Sequence, residues 1–156
     1  MRTLLAVVVC SMLSGCGAYF APDRNVKEQL ADKDVIGTWR MSTNSLALLV
    51  RDGFRSAPTN HCTIALLADG TCSLQSISSF SGEHRYASVS GTWKLEHDTQ
   101  LGANIKTANT LRLDLPFERV NQLQYWHFAR EGGVLILWNF HGDPDQWEFI
   151  EYTHDG

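Results

Sequence analysis

Cys62-Thr63-Ile64-Ala65-Leu66-Leu67-Ala68-Asp69-Gly70-Thr71-Cys72-Ser73-Leu74 holds two alternating apolar runs around a turn signal, and its reading decides the fold. Period-two alternation marks strands with one buried face. Gly70 supplies the positive φ that a tight hairpin connection requires. If Ala68-Asp69-Gly70 is a type I turn with a Gly bulge, Leu67 pairs with Thr71 and Cys72 faces Leu66. Cys62, Ile64, Leu66, Cys72 and Leu74 then share one face.

Working outward, segments of this kind recur at intervals of about ten to fifteen residues, as in an antiparallel sandwich or barrel. Strands are predicted at 36–42, 62–67, 71–78, 84–96, 110–115, 122–130, 133–140 and 146–153, which makes eight. The fold class is therefore mainly β, an up-and-down antiparallel barrel. Glu131-Gly132-Gly133 reads as a hairpin turn, as does Gly142-Asp143-Pro144-Asp145, where Pro144 is barred from a central strand. Leu46, Leu49 and Val50 fall at helical spacing, so Ser45 to Arg51 is predicted as a short helix after the first strand. Asn25 with Glu28 three residues on has the form of a capping box, which predicts another short helix through Ala31.

The N-terminus carries a different signal. Arg2 is a small positive region, Leu4 to Leu13 an apolar run too short for a bilayer span, and Ser14 and Gly15 are small residues before Cys16. Leu13-Ser14-Gly15-Cys16 resembles the lipobox of bacterial lipoproteins. That resemblance implies removal of residues 1–15, lipidation of Cys16 and partnership with a membrane through the lipid anchor. Three acyl chains hold essentially permanently, since each buried methylene contributes about 0.8 kcal/mol. Gly17, where inner-membrane lipoproteins of enteric bacteria carry Asp, points by the same resemblance to the outer membrane facing the periplasm. Residues 16–33 then form a lipidated tether with the short helix, and 34–156 the barrel domain.

The full chain of 156 residues has 13 Lys+Arg and 17 Asp+Glu, a net charge of −4. Loss of Arg2 leaves 12 against 17. This balance argues against nucleic acid, which calls for clustered basic surface.

Gly37-Thr38-Trp39 opens the first strand and Gly91-Thr92-Trp93 recurs in the fourth, with Ala68-Asp69-Gly70-Thr71 between. Residues 34–153 so arranged resemble the small lipocalin-like (calycin-type) β-barrels found as bacterial lipoproteins. Gly lets a bent strand approach its neighbour, and Trp fills the barrel's closed end.

For Cys62 and Cys72 two readings stand. The oxidising compartment implied by the lipobox favours a disulfide. Four residues along the strand, about 13 Å at ordinary rise, oppose it. Buried thiols are the alternative.

Trp126 and Phe128 share a face of one predicted strand, Trp138 and Phe140 of the next, and Trp147 and Phe149 of the last. Such rows can form a packed core or line an apolar cavity, and their bulk favours a filled core. Trp126, Phe128, Trp138 and Phe140 are the candidate ligand-binding residues.

Catalytic patterns are thin. His61, His84, His97, His127, His141 and His154 show no His-x-x-x-His spacing, and the chain has neither Cys-x-x-Cys nor Gly-x-Ser-x-Gly. His141-Gly142-Asp143-Pro144-Asp145 offers an imidazole and two carboxylates that could hold Ca²⁺, although a hairpin turn explains the same residues. No catalytic residue, metal or cofactor is assigned.

The expected function is that of a non-enzymatic envelope lipoprotein, binding a small apolar or amphipathic ligand or maintaining the envelope. The alternative is a protein-binding inhibitor or immunity protein of the periplasm. Ser81-Gly82-Glu83-His84-Arg85-Tyr86 distantly resembles the Ser-Gly-x-x-Tyr element of lysozyme inhibitors, with one residue more.

Overall fold

The computed structural model describes residues 24–53, 62–78, 86–101, 105–117, 120–141 and 148–155. Its elements are α1 (Asp32–Val35), β1 (Gly37–Met41), α2 (Thr43–Arg51), β2 (Thr63–Leu66), β3 (Thr71–Ser78), β4 (Tyr86–Leu101), β5 (Ile105–Phe117), β6 (Val120–Glu131), β7 (Val134–Phe140) and β8 (Phe149–Asp155). The eight strands pair in sequence order, all antiparallel, and β8 returns to β1 to close a barrel. Closure removes the unpaired edges that an open sheet presents. The architecture is consistent with a lipocalin-like fold.

The hairpin that announced the fold has the expected register, with Leu66 opposite Cys72. Leu67 N–H donates to the Thr71 carbonyl at 2.9 Å and Gly70 N–H to the Leu67 carbonyl at 3.1 Å. Gly70 sits at φ +82°, the left-handed position of a type I turn with a Gly bulge. Asp69 reinforces the turn, its carboxylate accepting from both the N–H and the hydroxyl of Thr71.

The helix predicted over Asn25 to Ala31 is not formed. Asn25 instead bridges to Ala129 of β6, and Val26 N–H donates to the Phe128 carbonyl at 2.9 Å. Further along, Leu30 N–H donates to Asn109 Oδ1 at 2.8 Å, while Asn109 Nδ2 donates to the Glu28 carbonyl at 2.7 Å. Val26 and Leu30 are buried in the same core cluster as the barrel interior. A local cap contributes about 1 kcal/mol. Two buried apolar side chains and the amide clamp of Asn109 outweigh it. The helix starts later, at Asp32, where Ala31 N–H donates to the Asp34 carboxylate at 2.8 Å.

The helix after the first strand forms as expected. Ser42 caps it by accepting from Ser45 N–H at 3.2 Å, and Leu46 and Leu49 are buried. Ser45 ties it to the wall, because its hydroxyl accepts from Glu151 N–H at 2.8 Å.

Both Gly-Thr-Trp triplets have local physical reasons. Trp39 Nε1 donates to the Val35 carbonyl at 3.0 Å and Trp93 Nε1 to the Leu67 carbonyl at 2.8 Å, so each buried indole is satisfied. Gly91 lies so close to β5 that an added Cβ would stand 2.2 Å from the Asp114 carbonyl oxygen. Gly91→Ala must therefore push β4 and β5 apart. We expect a loss at or above the upper end of the about 1–3 kcal/mol typical of overpacking, read from the urea midpoint. An unchanged midpoint would show that the two strands do not approach this closely.

Candidate functional site

Residues directly opposite in a sheet share a face, so pairing of β6 with β7 fixes where the aromatic rows point. His127 pairs with Trp138 and Phe128 with Leu137. Trp126 and Phe128 therefore point the same way as Leu137, into the barrel. Trp138 and Phe140 point the other way. The four candidate ligand-binding residues are thus split between two environments, because per-strand alternation did not set the phase between neighbouring strands.

Inside, Trp126 meets Tyr152 edge-on at 5.4 Å and Trp39 meets Phe128 at 6.0 Å between ring centroids. Trp39, Ile64, Leu66, Leu74, Leu111, Leu113, Leu115, Leu137 and Tyr152 have 0% of their surface accessible. A hollow wide enough for a ligand would leave accessible surface on its walls. These walls have none, so this part of the interior is filled. Cys62 and Cys72 belong to it as buried thiols, with Leu66 rather than Cys62 opposite Cys72. Burial raises both thiol pKa values, which suppresses the reactive thiolate. The Tyr152 phenol is likewise pushed well above its usual value by burial.

Outside, Ala129, Ile136 and Trp138 form a second cluster against which Phe140 and Phe149 pack. Trp138 meets Phe149 at 5.2 Å, Phe140 at 5.4 Å and His127 at 4.9 Å. The Arg24 guanidinium lies 5.0 Å from the Phe149 ring and 5.6 Å from Trp138, in cation–π reach of both. Its charge is further held by Glu131 at 2.8 Å and by Glu151. Burial lowers the His127 pKa to about 4, so the imidazole is neutral near pH 7. Neither His127 Nδ1 nor Trp138 Nε1 has a hydrogen-bond partner among the described residues.

A second polar constellation joins the end of α2 to β7 and β8. Arg51 forks onto Glu148 at 2.5 and 2.7 Å and reaches Asp52 at 2.8 Å. His141 Nε2 lies 2.6 Å from the other Asp52 oxygen. Hydrogen bonds from Arg51 and then His141 hold Asp52 down to about 2, and Arg51 lowers Glu148. Carboxylates so committed to a guanidinium are poor proton acceptors at neutral pH, and the cluster acts as a clamp on the helix.

Sequence reasoning paired His141 with the carboxylates that follow it. Asp52, from a distant part of the chain, is its observed partner. Gly142, Asp143, Pro144, Asp145 and Trp147 lie outside the described residues, as do Cys16 with the whole of 1–23 and the stretch from Ser81 to Arg85. Among the described residues no group of three His, Cys, Asp or Glu could hold a metal ion. Arg24 and Asn109 were also missed. Asn109 left a signal, a polar residue in phase with Leu111, Leu113 and Leu115.

Compared with protein-family models, with curated proteins and with solved structures, the chain matches none.

Proposed function

We propose that this chain is a non-enzymatic lipoprotein of the bacterial envelope, anchored through Cys16, whose lipocalin-like barrel acts from its outer surface by holding another envelope protein. The reading rests on the described part of the interior, whose walls keep no accessible surface around Trp39, Leu111 and Tyr152. A ligand carrier needs a hollow, whereas a solid barrel offers only its exterior. The acidic balance of the chain suits a basic protein partner.

The anchor reading rests on Leu13-Ser14-Gly15-Cys16 and keeps its outer-membrane, periplasm-facing placement. Residues 24–30 pack onto the barrel, so the proposed tether runs from Cys16 to Asp23. Eight residues reach at most about 29 Å, which keeps any partner close to the membrane surface.

Labelled palmitate is expected to enter the wild-type chain and not Cys16→Ser, which should also leave the membrane fraction. Label retained in Cys16→Ser would overturn the anchor. Titration of the full chain with envelope phospholipids in detergent should give no saturable quenching of tryptophan fluorescence. Saturable one-to-one quenching would instead restore the small apolar or amphipathic ligand as the function.

A further inference from the structure

The entry of the chain into the barrel distinguishes its two ends. Successive turns of an up-and-down barrel alternate between those ends, so the β2–β3 and β6–β7 turns share one, where β1 begins and β8 finishes. Arg24 lies at this same end. It pairs with Glu131 at 2.8 Å beside the β6–β7 turn, and residues 25–35 lead from β6 across the end to the start of β1, with Val26, Leu30 and Val35 buried in the core cluster. The helix α2 lies at the opposite end. It follows the finish of β1, and its Arg51 holds Glu148 just ahead of β8.

Both hairpin turns described at the strapped end carry an exposed aliphatic side chain, where polar residues are usual. Leu67 is 51% exposed and Val134 48%. The two turns stand on opposite sides of the eight-strand ring, and among the described residues nothing lies within 4 Å of a Cβ built on Gly132 or Gly133. Next to the β6–β7 turn is a groove of about 260 Å³, lined by Arg24, Asn25, Val26, Lys27, Glu28 and Arg130. Arg24 is committed to Glu131 and Glu151, and Arg130 meets Glu28 at 3.3 Å. Lys27 is exposed and forms no ion pair among the described residues.

We propose that the strapped end rests on the bilayer that holds the anchor, with Leu67 and Val134 turned into its interfacial layer, Lys27 among the lipid phosphates and the α2 end facing away. The inference rests on the proposed lipidation of Cys16. The eight residues from Cys16 to Asp23, as a flexible chain, have a root-mean-square length of about 16 Å, so the tether brings this end to the surface ahead of the other. A tether this short sets an effective concentration in the millimolar range, at which contacts too weak to bind from solution operate. A chain of net charge −4 is repelled by an anionic surface. Two aliphatic tips beside a groove of mixed charge fit a zwitterionic one, whose headgroups offer a phosphate to Lys27 and an ammonium to the carboxylates. The barrel wall and the α2 end are then left for a protein partner.

The test places a fluorescent dye on Leu67→Cys, Val134→Cys or Val50→Cys in the full chain, made in bacteria and reconstituted in vesicles of phosphatidylethanolamine and phosphatidylcholine. Val50, on α2, is 55% exposed and reports the far end. The unsubstituted chain gives the background from its own cysteines, and each variant is first matched to its far-ultraviolet spectrum. Lipid carrying a nitroxide high on the acyl chain is expected to dim the dye at positions 67 and 134, whereas at position 50 only iodide in the water should dim it. Dimming by iodide alone at 67 and 134, or equal dimming by the nitroxide lipid at all three positions, would overturn the proposed orientation and leave the anchor standing. A full chain that does not float with the vesicles would remove the anchor, and this inference with it.

Discussion

Trp39→Ala is expected to lower the unfolding free energy by about 3–5 kcal/mol, the range for removing a large aromatic from a well-packed core. Trp39 has no accessible surface, packs 6.0 Å from Phe128 and 4.7 Å from His154, and donates its indole N–H to Val35. Against a total stability of about 5–15 kcal/mol the loss is large, and it should appear as a fall in Tm of roughly 10–20 °C. The substitution also distinguishes a solid barrel from a hollow one. In a solid barrel the missing indole leaves a dry apolar cavity, so added indole should bind there and raise the Tm of Trp39→Ala while leaving the wild type unmoved. A loss below about 1 kcal/mol, with wild type and variant stabilised equally by indole, would mean that the interior already holds a ligand-sized space. The outward-acting function proposed for this chain would then lose its main support.

How much of this was legible in the sequence depended on whether the deciding interactions were local. The hairpin at Leu67 to Thr71 was, because Gly70 fixes the turn and alternation fixes the register on either side. Strand number and antiparallel order followed from repeating the same reading along the chain. The segment 25–31 misled because its capping pattern is local while its real partners are remote, Phe128 on β6 and Asn109, which lies 79 residues beyond Leu30. The aromatic rows were half legible. Alternation within each strand correctly grouped Trp126 with Phe128 and Trp138 with Phe140. Only the His127–Trp138 pairing shows that the first pair points inward and the second outward. The Arg51–Asp52–His141–Glu148 clamp was not legible at all, since a salt bridge between remote positions leaves no periodic trace.

Lowering the pH from 7 is expected to cost stability through His127 before any carboxylate contributes. An unfolded histidine binds its proton near pH 6.5, whereas burial holds His127 at about 4 in the folded barrel. Between those values the unfolded chain binds more protons, so stability falls as the pH drops. The loss amounts to about 2 kcal/mol at pH 5 and about 3 kcal/mol at pH 4, and it levels off below that, where both states are protonated. Asp52 acts in a separate window. Its folded value of about 2 lies below its ordinary 3.8, so its contribution is intact above that ordinary value and is lost only as the pH falls further toward 2. His127→Phe keeps a ring against Trp138 but has nothing to titrate. Its urea midpoint should hold above that of the wild type at pH 5 and decline only as the Arg51-bound carboxylates Glu148 and Asp52 take up protons at lower pH. Following the His127 ring by NMR in the wild type should give a midpoint near 4. An unchanged pH dependence in His127→Phe, or a ring that titrates near 6.5, would show that the outer aromatic cluster admits water to the imidazole. The cluster would then be an open surface available to a partner, not a sealed second core laid over the barrel wall.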